Sequence, residues 1–124
     1  MTRNTLTWMT LAAALALPSM ALADGPAMMS GDAMVDHKGM ALYTFDKDAP
    51  GKSNCNTTCA DNWPPLMAMS TDHPTGMWTI VKRDDGMMQW AYGGKPVYTF
   101  AKDASPGDMK GDGMKDVWHV LKGM

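Results

Sequence analysis

From Trp78 to Tyr92 the chain reads "WTIVKRDDGMMQWAY": two runs of apolar and β-favouring residues, Trp78–Lys82 and Met87–Tyr92, on either side of an Asp85-Gly86 turn. Such a pattern predicts a β-hairpin. The next stretch, Trp90 to Phe100, repeats the idea around Gly93-Gly94, and Val35 to Phe45 does so around Asp-His-Lys-Gly. Val117–Leu121 is short, apolar and partly β-branched, which predicts a last strand. No window sustains a period near 3.6 residues, apart from one helical turn's worth around Thr57–Asn62. The pattern therefore predicts a mostly β, small single domain with long loops and at most a short helical turn near the cysteines.

The strand pattern occurs twice. "LYTFDKDAPG" around Tyr43 and "VYTFAKDASPG" around Tyr98 are 55 residues apart, and the same offset sets Asp61 on Asp116, Trp63 on Trp118 and Leu66 on Leu121 without a gap. Fixed-offset self-similarity over this length is the mark of a tandem repeat. The units fall at about 34–67 and 89–122, within a β domain at 34–124. On a strand, Tyr43 and Phe45 share one face, as do Tyr98 and Phe100. The four rings are expected in or beside one core, related by a pseudo-twofold axis and covered by Trp63 and Trp118. Asp48 and Asp103 stand where each strand ends, where a carboxylate accepts backbone N–H groups of the turn.

The amino end has a different character. Arg3, an apolar run from Leu6 to Leu17, the break at Pro18 and the small-x-small pattern Ala21-Leu22-Ala23 form a cleavable export signal at 1–23. The apolar run falls short of the roughly 20 residues that span a bilayer. Residues 24–33 are expected as a flexible lead-in. Export to the periplasm or medium implies an oxidising compartment, where Cys55 and Cys59 are expected to pair. At four residues apart, one helical turn holds their Cα atoms about 6 Å from each other, within disulfide reach. A redox pair would use Cys-x-x-Cys instead. All 13 acidic residues are Asp and the net charge is −2. That balance offers no basic stripe for nucleic acid, and Asp in place of Glu suits turns better than helices.

Longer motifs carry a resemblance. "LYTFDKD" and "VYTFAKD" resemble the Tyr-x-(Phe/Trp/Tyr)-x-x-Asp motif of bacterial exported proteins known as secreted-repeat proteins, or predicted lipoproteins with that motif. "SNCNTTCADNWPPL", "VKRDDGMMQWAYGGKPVYTF" and "GDMKGDGMKDVWHVL" are similar to the remaining segments of the family pattern. The resemblance spans about Met34 to Leu121. It implies an envelope location and this β architecture, and it assigns no activity. Many relatives carry a lipid-anchor cysteine after the signal; this chain has none there, so no lipid anchor is expected.

Chemistry-bearing patterns are few. Asp108, Asp112, Gly113 and Asp116 match the first, fifth, sixth and ninth positions of a calcium loop, but Lys110 and His119 occupy the third and twelfth, where ligands belong, so a glycine-rich turn is the preferred reading. Methionine is abundant, with 15 in the chain and pairs at Met28-Met29, Met67-x-Met69 and Met87-Met88. Thioethers select Cu(I), whereas methionine used as apolar filler is the plainer account. His37, His73 and His119 are scattered. Nucleophile elbows, zinc-protease motifs and phosphate loops do not occur. The expectation is a non-catalytic exported envelope protein, a small binding or scaffold module without a cofactor, serving an envelope component rather than nucleic acid. The alternative is a periplasmic Cu(I)-handling protein using Met28, Met29, Met67, Met69, Met87 and Met88.

Overall fold

A computed structural model of the protein describes residues 25–123. The export signal at 1–23, its cut after Ala23, and Met124 lie outside the described residues. The strands are short: β1 (Ala27–Ser30), β2 (Ala33–Asp36), β3 (Tyr43–Phe45), β4 (Trp78–Lys82), β5 (Met88–Tyr92), β6 (Lys95–Pro96) and β7 (Trp118–Val120). One helix, α1 (Thr58–Asn62), lies by the cysteines, and Met114–Asp116 makes a tight helical turn. The ladders are β1–β2, β3–β7 and β4–β5–β6, all antiparallel. None of the described helices is long and apolar enough to cross a membrane.

The hairpins at 78–92 and 88–96 form as the pattern predicts. Gly93 and Gly94 have φ of 59° and 86°, the pair of positive values that a two-residue hairpin turn of this hand demands. Two expectations need correcting. Residues 24–33 were expected as a loose lead-in, yet β1 pairs there with β2, Met29 facing Met34 across the ladder. Val35–Phe45 is a hairpin only at its turn, where the Asp36 carboxylate accepts the N–H groups of Lys38 and Met40. Beyond the Val35–Ala41 bridge the second run departs from the first.

The departure has a physical cause in the repeat. Met34 N–H donates to Leu121 O, Leu121 N–H to Leu42 O, and Leu42 N–H to Met34 O, so the last strand of the second copy wedges between the strands of the first. The reciprocal set holds too. Trp90 N–H donates to Leu66 O, Leu66 N–H to Val97 O, and Val97 N–H to Trp90 O. Each copy thus lends its closing segment to the other copy's hairpin. At the centre Tyr43 and Tyr98 exchange N–H···O bonds of 2.8 and 2.9 Å, which places the pseudo-twofold axis between them. The exchange closes β3 on β7 in one half and residues 63–65 on 98–100 in the other.

Two cores result. One lies on the axis and holds Tyr43, Tyr98, Trp63, Trp118, Phe100 and Val120, with Phe45 and Cys59 at its margin. The other gathers the three-way junctions, Met34, Leu42 and Leu121 with Trp90 and Val97, over Trp78. Burying the apolar surface of such side chains contributes roughly 1.5–3 kcal/mol each. Because both cores draw on both copies, neither copy has a complete core of its own.

Candidate functional site

The motif phenylalanines and the tryptophans form one column. Phe45 stacks on Trp118 with centroids 4.2 Å apart, Trp118 on Trp63 at 3.8 Å, and Trp63 on Phe100 at 4.1 Å. The two indoles are within 4° of parallel. The tryptophans, expected to cover the tyrosine and phenylalanine rings, stand instead in the middle of the column. The reason is the strand exchange: Phe45 lies opposite Trp118 in the β3–β7 ladder, and its counterpart Phe100 meets Trp63. Glycine at 111 makes room for the column, since a β-carbon there would overlap the Trp63 ring.

Beside the column the motif tyrosines and aspartates pair between copies. Tyr43 Oη donates to Asp103 Oδ2 at 2.6 Å, and Tyr98 Oη to Asp48 Oδ2 at 2.7 Å. The other carboxylate oxygens accept backbone N–H groups, Lys110 for Asp103 and Asn54 for Asp48, the turn role expected for them. Burial, and then the carboxylate beside it, pushes each phenol above its ordinary range. Burial also raises the Asp48 carboxyl, against the Asn54 N–H and the Tyr98 hydroxyl. Phenols held protonated against carboxylates in this way act as fixed cross-links between the copies.

A cavity of about 570 Å³ opens on the column. Its wall includes all four stacked rings, with Thr58, Cys59 and Asn62 on one side and Met114 and Val117 on the other. The two indoles have both faces covered by neighbouring rings, so only their edges can meet the cavity. Ring edges carry the positive side of the aromatic quadrupole. Lys47, Lys102 and Lys115 complete the wall, and no carboxylate lines it. Among the described residues, none of the three is in an ion pair; the lysines that are paired are Lys52, Lys110 and Lys122. Lys115 is moreover held at φ 53°, ψ 18°, a left-handed backbone that costs a non-glycine residue about 1 kcal/mol or more. The wall is apolar at its base and cationic at its rim.

The other residues singled out in the sequence have these places. Cys55 and Cys59 form a disulfide across 5.1 Å between Cα atoms. The Asp108 carboxylate accepts the N–H groups of Ala104 and Ser105, and Asp112 accepts Val120 N–H, so this loop spends its carboxylates on backbone. His119 meets Asp46 at 2.8 Å, and His37 lies 3.3 Å from Gly25 O. The six clustered methionines do not converge. Met28 and Met29 line one depression, Met67 and Met69 line another with His37 and His73, and Met87 and Met88 line neither.

Sequence reasoning missed the lysines, although the doubled phrase Phe-x-Lys-Asp held Lys47 and Lys102 at equivalent positions in both copies. It also missed Arg83, a buried cation that bonds Ser53 Oγ, Gln89 Oε1 and Cys55 O at 2.8–3.0 Å. Its Nε also faces Asp85 Oδ2 at 3.4 Å, and its Ser53 and Cys55 partners come from a distant loop that no local pattern ties to it.

Comparison with known proteins agrees with the geometry. The family described as "Secreted repeat of unknown function" (Lipoprotein_15) matches residues 29–67 and 79–122, one segment for each copy. The chain belongs to this family of secreted repeats. Both segments begin earlier than 34 and 89, the boundaries that the motif spacing suggests, and thereby take in part of β1 and nearly all of β4. No curated protein and no solved structure matches the chain.

Proposed function

We propose that this secreted-repeat protein is an exported, non-catalytic binding module whose site is the cavity on the pseudo-twofold axis. Its ligand is a small anion with an apolar, planar body. One observation carries the reading. In a chain with 13 Asp and a net charge of −2, the cavity is lined by three unpaired lysines and no carboxylate. An apolar base with a few placed polar groups is the usual make-up of a small-molecule site. The cations at the rim add attraction for an anion and steer its approach.

The non-catalytic character is part of the proposal: the half-cystine at Cys59 is bonded, and the lysines of the wall are read as anion-binding groups. Retention in the cell envelope rather than release, or the reverse, changes neither the site nor the reading.

The test uses naphthoate and its uncharged analogue naphthamide as probes, titrated by calorimetry with binding mapped by amide chemical shifts. Naphthoate should bind and perturb residues around Trp63 and Trp118, and naphthamide should bind at least about tenfold more weakly, a difference of roughly 1.4 kcal/mol. The Lys47→Gln/Lys102→Gln/Lys115→Gln variant should erase the preference while keeping the fold. Equal binding of both probes, or shifts elsewhere on the surface, would refute the site.

A further inference from the structure

Every large apolar side chain that the described residues leave exposed is a methionine: Met28, Met29, Met67, Met69, Met77, Met87, Met88, Met109 and Met114. If methionine were only apolar filler, leucine, isoleucine or valine would share these places. They do not. The surface retains thioethers in particular, and one depression brings three of them together.

That depression, of about 450 Å³, lies between the β1–β2 hairpin and the start of β4. Met28, Met29, Met34 and Met77 line it with Trp78 and Tyr92, and no carboxylate, imidazole or lysine does. Met29 and Met34 are directly opposed in the β1–β2 ladder, so their side chains lie side by side on one face. Both reach over Gly123, where a β-carbon would collide with the Met29 thioether and stand 3.6 Å from Met34 Cγ. Met77 enters from a separate segment and rests on the Gly93 turn. Met28, consecutive with Met29 in β1 and so on the other face of the pleat, also lines the hollow.

We propose that Met28, Met29 and Met77, backed by Met34, form a binding site for Cu(I). Neutral thioethers are soft donors that favour a soft monovalent ion over Zn(II) or Ca²⁺. Trp78 and Tyr92 add aromatic surface against which a partly coordinated cation is stabilised. A site without a proton to lose holds its metal in acid, where histidine sites release theirs. Of the six methionines that the sequence clusters suggest, this site uses only the first two. It replaces the others with Met34 and Met77, brought in by the fold. It is independent of the lysine-lined cavity, and either can fail without the other.

The experiment offers Cu(I) to the protein in competition with a chromophoric chelator. Ascorbate keeps the copper reduced and leaves the Cys55–Cys59 disulfide intact. One equivalent should bind, at pH 5 as at pH 7, with quenching of tryptophan fluorescence. Met28→Leu/Met29→Leu/Met77→Leu should weaken binding at least about tenfold. Gly123→Ala, which removes no sulfur but displaces Met29, should weaken it as well. Met67→Leu/Met69→Leu/Met87→Leu should bind as the parent does, and all variants should keep the parent's circular dichroism. Parent-like binding by the first triple variant, loss in the control triple alone, release at pH 5, or equal uptake of Zn(II) would each overturn the assignment.

Discussion

The loop that follows Phe45 and the loop that follows Phe100 leave equivalent copies of the motif, carry equivalent lysines and aspartates, and are closed by different chemistry. In the first, the Cys55–Cys59 disulfide and α1 hold the chain, and Arg83 reaches in to bond Ser53, Cys55 and Asn56. In the second, Lys110 and Met114 stand where the cysteines would be, and the carboxylates of Asp108 and Asp112 gather backbone N–H groups instead. The strand exchange explains why this difference is tolerated. The column of rings and the Tyr–Asp cross-links on the axis draw on both copies, so they keep their symmetry while the loops diverge at the surface. The loops are also the two side walls of the cavity, and their divergence gives an otherwise symmetric site two unlike sides.

The sharpest test of that symmetry is the column itself. Phe100 is 5% exposed and lies in the axial core, whereas Phe45 is only partly buried at its margin. Phe100→Ala should therefore cost about 3–5 kcal/mol in chemical denaturation, and Phe45→Ala distinctly less. Equal losses would show that the margin is as tightly packed as the centre.

The cross-links come next. Tyr43→Phe strips its hydroxyl from Asp103, which is 8% exposed, and from the N–H of Gly111. That should cost roughly 2–3 kcal/mol, as for hydrogen bonds to charged groups. Tyr98→Phe should cost less, because Asp48 is closer to water and Ser53 keeps its bond from Arg83. The reverse order, read from denaturation midpoints at equal slope, would mean that the Ser53–Arg83 network depends on the Tyr98 hydroxyl.

Removing the disulfide by Cys55→Ala/Cys59→Ala should cost about 2 kcal/mol on the chain-entropy account of a five-residue loop. The effect should stay local. Hydrogen exchange should quicken in residues 55–62, which wall the cavity, and leave the second loop unchanged. Faster exchange in both loops would show that they are coupled across the column.

How much of this was legible in the chain follows from the range of the forces involved. Period-two patterning and paired glycines are local, so β4, β5 and the Gly93-Gly94 turn stand out in the letters. The 55-residue offset brought out the symmetry, and with it the company of Tyr43, Tyr98, Phe100 and Phe45. The exchange of closing strands was invisible, because "VDHKGMALYTF" describes a hairpin equally well whether its second run stays with the first or crosses to β7. The lysine-lined wall was hidden for the same reason: Lys47 and Lys102 each sit in an ordinary turn, and only the dyad brings them to one cavity. Thr57–Asn62 was recognisable as a helical turn, but nothing in its letters pointed to the cavity that it borders.

The smallest effect expected is a response to acid confined to one loop. Asp108 accepts the N–H groups of Ala104 and Ser105 at 2.9 and 3.0 Å, and these bonds hold its carboxyl below the usual carboxylate range. A carboxyl depressed in the folded state contributes stability that is present above its unfolded value, near 4, and is lost as pH falls through its folded value. Below about pH 4 the amides of Ala104 and Ser105 should therefore exchange faster, after correction for the intrinsic pH dependence, while those of 55–62, held by a bond that does not titrate, should not. The Asp108→Asn variant should show the acid behaviour of the second loop already at neutral pH. If both loops loosen together as the pH is lowered, then Asp48, whose raised carboxyl predicts the opposite response, is not what governs the first loop, and the contrast between a covalent and a carboxylate closure fails.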